Sequence, residues 1–201
     1  MAHAYKLSEY AIDGLCHEIR QHLDYLSDAR PPQARSVDSG ETESVDLAET
    51  FDVWMLGAKK LAAGVKAGQD LAQLAKPTHH LHHQVKQSGA ALCSATSSTK
   101  AALAPQVSGM ALSPLAEKID RAIDWLDHHS GLEDDPLVRL LVIPAYQVNA
   151  FWLVDEAGSE SRVVVIDAPA QFKHLPLLKV MSSRKFIAAL LKEKQIVGFY
   201  E

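Results

Sequence analysis

The sequence predicts an α+β fold: a mostly helical amino-terminal two thirds, followed by a small antiparallel or mixed sheet (β-β-α-β) with a packed helix. Three observations carry that prediction. Several segments before residue 131 repeat apolar residues every three or four positions, as one face of a helix requires. Residues 147–155 alternate instead, with Val148, Ala150, Trp152 and Val154 on one side and Asn149, Phe151 and Leu153 on the other. Residues 162–166 are the block RVVVI, whose β-branched side chains suit a strand covered on both faces.

Residues 1–30 read as an amphipathic helix. Ser8 is its N-cap, and Ile12, Leu15, Ile19, Leu23 and Leu26 form the stripe to be buried. Arg30-Pro31-Pro32 ends it, because the residue before a proline is pushed out of the α region. Residues 31–45, with little apolar content, form a flexible linker.

Residues 46–131 read as a helical region. Its first helix runs from about residue 44 or 46 to residue 76, with Phe51, Trp54, Ala58, Leu61 and Val65 on one side. Gly57, Gly64 and Gly68 lie on a neighbouring strip. They either admit a second helix at close range or weaken this one by roughly 1 kcal/mol each. Thr78 caps a short helix through Gln87, after which a run of alanines and hydroxyl residues forms either an Ala/Ser helix or a connector. Ser113-Pro114 starts a clearer helix with the stripe Leu115, Ile119, Ala122, Ile123 and Leu126, and Gly131 stops it.

Residues 137–201 form the α+β module. Val138 to Ile143, ahead of Pro144, is an edge segment or a separate short strand. The hairpin that follows turns at residues 156–161, and symmetric closure sets Asp155 opposite Arg162, Trp152 opposite Val165 and Phe151 opposite Ile166. Ser182 or Ser183 caps a helix with Phe186, Ile187, Leu190 and Leu191 facing inward, and residues 195–200 form a last strand.

Composition narrows the function classes. A net charge of -5 argues against general nucleic-acid binding and against an anionic membrane surface. Two cysteines, Cys16 and Cys93, fit a reducing compartment, and no apolar run is long enough to cross a bilayer, so a cytoplasmic protein is expected. Glycine-rich phosphate loops and nucleophile elbows are missing.

The most conspicuous chemical cluster is His79, His80, His82 and His83. On a helix, His79, His82 and His83 would converge on zinc or another transition metal; otherwise they line a solvated face. Cys16 is followed by His17, but adjacent helical residues diverge by about 100° and form no dyad. Asp167 ends the block at 162–166 without a lysine nearby in sequence, which weighs against a metal-dependent nuclease.

Two functional expectations follow. The first is a non-enzymatic interaction or adaptor protein that binds a protein partner or a second copy of itself. Trp54, Trp125 and Trp152 are its anchors, and it needs no cofactor. The alternative is a metal-binding protein or small metal-dependent enzyme centred on the histidine cluster.

Overall fold

The segment read as one helix from about residue 44 to 76 is instead a strand and two short helices, and this correction changes the fold class. In the computed structural model, which describes residues 5–28, 45–66, 68–99, 105–111, 114–129, 136–154 and 161–193, residues Val45–Met55 form β1. Ala58–Lys66 and Leu71–Leu74 form α2 and α3. Five of the eleven residues at 45–55 are β-branched or aromatic, and the glycines at 57, 64 and 68 penalise a long helix. The three-residue spacing of Phe51 and Trp54 therefore places them on opposite faces of a strand.

A second correction adds three more strands. Lys76–Gln87 is β2, not a capped helix; Ala90–Ser98 is β3 and Gln106–Ala111 is β4, where an Ala/Ser helix or a connector was expected. Helix α1 spans Glu9–Asp28 and α4 spans Pro114–Asp127, both close to expectation. Then come β5 (Leu137–Ile143), a 3-10 turn at Pro144–Tyr146, β6 (Val148–Val154), β7 (Arg162–Asp167), β8 (Val180–Ser182) and α5 (Ser183–Lys192). The protein is therefore built on one large mixed sheet, ordered β4-β3-β2-β1-β5-β6-β7-β8, and is not a helical body with a small sheet attached. Strands β1 and β5 run parallel, and every other neighbouring pair of these strands is antiparallel.

Strand β5 sits in the middle of that sheet, so the run before Pro144 is not an edge. Pro144 lies outside the ladder, in the tight turn to β6, where its missing N–H costs nothing. In the hairpin, Phe151 faces Val164 and Trp152 faces Val163, two positions from symmetric closure. A two-residue slip keeps every side chain on its intended face, which is why the face assignment survives the error in register. The linker at 31–44, the caps at Ser113 and Gly131, the turn at 155–160 and the last strand at 195–200 lie outside the described residues.

The two faces are covered differently. On one, Ile119, Ala122 and Leu126 of α4 pack on Phe51, Val138, Leu140, Phe151, Leu153, Val164 and Ile166. The nearest strands to α4 are β2 and β3 on one flank and β7 on the other. Ala116 accepts from Gln84 of β2 while Lys118, two residues further along α4, meets Asp167 of β7, although those strands would stand about 19 Å apart in a flat sheet. The sheet therefore curls around α4, and the α4 face is concave.

The convex face carries two helical groups. Ile19 of α1 packs with Val45, Val85, Cys93 and Ala95 over β1–β4. Leu61 of α2, Leu71 and Leu74 of α3, and Phe186, Ile187 and Leu190 of α5 pack over β5–β7. Leu191, expected to face inward, is instead 41% exposed. The small side chains of β3 allow helices to approach both its faces. Ser8 accepts from the Ala11 amide at 3.3 Å, and Ser182 from the Lys185 amide at 3.4 Å, so both proposed caps are in place.

Candidate functional site

The expected histidine cluster does not converge. As β2 is a strand, successive side chains point to opposite faces, and His82 and His83 are buried on different sides of the sheet. His79 and His80 are exposed at the start of the strand. Among the described residues, no group of three or more His, Cys, Asp or Glu side chains is arranged to hold a metal ion.

His83 instead joins a sealed network on the convex face. Its Nδ1 lies 3.0 Å from Thr50 Oγ1, and its Nε2 lies 2.7 Å from Ser97 Oγ. Serine, imidazole and an orienting hydroxyl have the connectivity of an activated nucleophile. His83 and Ser97 are both 0% exposed, however, so the network serves to clamp β1, β2 and β3 together. Burial pushes His83 down to about 4. His82, on the concave face, is also held at about 4 by burial, partly offset by the Gln84 side chain. Gln84 Nε2 donates to the Ala116 carbonyl at 2.5 Å and so ties β2 to the first turn of α4.

Other candidates resolve into structure. Cys93 is fully buried, and burial raises its thiol pKa; Cys16 is half-buried on α1, and His17 contacts Gln21 instead. Asp167 does meet a lysine: Lys118 of α4 lies 2.6 Å away, brought there by the curl of the sheet. A small cavity beside Glu49, Phe51, Ile123, Leu126, Asp127, Val138 and Phe151 holds about 40 Å³, far below the several hundred typical of a small-molecule site.

The three tryptophans do not share a surface. Trp152 is 1% exposed, because β6 lies inside the sheet and the α2–α3–α5 group covers this face. Trp125 is half-buried on α4 and stacks on His129 at 3.8 Å. Trp54 is half-buried on the convex face, edge-on to Trp152 at 5.2 Å. Strands β5 and β8 flank the β6–β7 hairpin. The amide of Val107 on edge strand β4 is engaged by Glu18 of α1 at 2.7 Å.

Around Trp54, the parallel junction of β1 and β5 assembles a cluster that the sequence reading missed. Asp52 faces Arg139, which faces Trp152, in one row across the convex side. The Asp52 and Arg139 positions lie between the cluster under α1 and the one under α2, α3 and α5, which takes in Trp152. Arg139 Cζ is 4.4 Å from the Trp54 ring centre and 5.1 Å from that of Trp152, in the corner of two nearly perpendicular indoles. Asp52 commits Oδ2 to Trp54 Nε1 at 2.6 Å. It acts on Arg139 only through space: burial lowers the guanidinium pKa, and Asp52 pulls it back up. Arg139 Nε and Trp152 Nε1 are buried donors without acceptors. The signal available in the sequence was a charge inside each of two apolar runs, Asp52 in FDVW and Arg139 in LVRLLVI.

No protein-family model, curated protein or solved structure matches the chain. No helix among the described residues is long and apolar enough to cross a membrane.

Proposed function

We propose that this chain is a non-enzymatic binding protein that engages a protein partner on the convex face, with Trp54 and Arg139 at the centre of the contact. The observation that carries this reading is the half-buried guanidinium, held against two indole rings with its Nε–H lacking an acceptor. A preorganised Trp–Arg pair is the type of group that dominates interfaces, because its ordering and desolvation costs are met before binding. The free thiols, one buried and one half-buried, favour action in the cytoplasm. The net charge of -5 favours a protein over a nucleic acid as partner.

The test is affinity capture with the intact chain and with Trp54→Ala, followed by measured dissociation constants for each recovered protein. The reading expects at least one protein whose affinity falls about thirtyfold or more in the variant. Equal binding to both baits would overturn it.

A further inference from the structure

We infer that the hydrogen-bonding edge of Arg139 is a subsite for a single carboxylate, supplied by an acidic side chain of the bound partner. This rests on the convex-face reading above and specifies the chemistry of that contact.

Two indoles adjoin the guanidinium, at 4.4 and 5.1 Å from Cζ, and fix its position. Its Nε–H is buried and has no hydrogen-bond partner. Asp52 is its neighbour across the β1–β5 ladder, but Asp52 Oδ2 accepts from the Trp54 N–H and no hydrogen bond joins Asp52 to Arg139 among the described residues. A planar fork of donors held in this way matches the two oxygens of a carboxylate. Trp152, which faces Arg139 across β5–β6, is only 1% exposed and serves as a wall that holds the guanidinium.

Charge then selects among oxyanions. The register positions along the row are Leu81, Asp52, Arg139, Trp152 and Val163, so the one cation stands beside one anion and apolar or aromatic groups. A phosphate dianion would be repelled by Asp52 with no second cation in the row to offset it. One carboxylate flanked by apolar side chains complements both the charge and the indole walls.

The experiment uses the full chain carrying Trp125→Phe, which removes the indole of α4, so that fluorescence reports Trp54 and Trp152. The probes are a blocked tripeptide Leu-Glu-Leu, its Leu-Gln-Leu counterpart, and inorganic phosphate. The expected result is a saturable fluorescence change with the Glu peptide, about tenfold weaker binding of the Gln peptide, and no saturation with phosphate. Arg139→Gln should abolish the preference for Glu. Asp52→Asn, which keeps an acceptor for Trp54, should tighten the Glu peptide severalfold and provides a test that survives if the Arg139 variant does not fold.

Equal binding of the two peptides, lost together in Trp54→Ala, would overturn the carboxylate subsite and leave the convex-face reading standing. Saturation by phosphate alone would also overturn it. Failure of both peptides to bind would remove the subsite and count against the convex face as a docking surface.

Discussion

The concave and convex faces of one sheet bury comparable apolar rows but are closed in opposite ways. On the concave side, curvature turns both flanks of the sheet toward a single helix, and Phe51, Phe151 and Ile119 sit in a core at 2% exposure or less. On the convex side, the same curvature spreads the covering helices apart, and the row between them keeps a charge and an indole half-exposed. A curved sheet thus produces a sealed face and a face with a seam, and the polar cluster lies at the seam.

The largest effect should come from the sealed side. Phe151→Ala removes a fully buried ring that stands 5.0 Å from Phe51, and should cost about 3–5 kcal/mol in urea denaturation. Trp54→Ala, at the seam, should cost clearly less; equal losses would erase the distinction between the faces.

One buried histidine lies on each face, so pH sharpens the comparison. Both have folded pKa values near 4, below the ordinary 6.5, so the unfolded chain takes up protons first as pH falls. The stability each contributes is complete above about 6.5 and is lost between there and about 4, on the order of 3 kcal/mol each by pH 4. Glu49, raised by burial, works in the opposite direction: its contribution is full at low pH and lost as pH rises through its folded value. Denaturation between pH 7.5 and 4 should show a shallower decline in His82→Gln than in the parent. An unchanged slope would mean that His82 is not held neutral.

Gly64→Ala tests how tightly the convex helices pack. A methyl group there would collide with the Leu74 side chain and approach Gln69 Oε1 at 2.6 Å. Overpacking of about 1–3 kcal/mol should outweigh the gain of about 1 kcal/mol in helix propensity, giving a net loss in thermal stability. A stabilised variant would show that α2 and α3 do not meet as described.

The smallest effects belong to the ion pairs that flank α4. Lys86–Asp120 and Lys118–Asp167, each at 2.6 Å and partly exposed, should contribute under about 1 kcal/mol apiece in double-mutant cycles, less in high salt. Values well above that would make the flanks, not the apolar filling, the source of concave-side stability.

Legibility along the chain followed the chemistry of the side chains. Helices α1 and α4 could be read because their apolar stripes repeat over several turns, and the β6–β7 pair because β-branched and aromatic residues dominate it. Strands β2 and β3 could not. Histidine, glutamine, serine and alanine are buried there because neighbouring strands satisfy the backbone on both edges and small side chains admit helices on both faces. The Arg139 cluster escaped notice for a related reason: Asp52 and Arg139 are 87 positions apart and become neighbours only through the parallel pairing of β1 with β5.

By itself, the sequence determined where the apolar stripes of α1 and α4 run and which side chains of the last hairpin share a face. Tertiary structure alone decided that polar segments would become inner strands, that the sheet would curl about α4, and that one arginine would rest in an indole corner. The reason is that local periodicity reports the surroundings of a residue along its own element, whereas strand order and curvature come from distant segments satisfying one another's backbone groups.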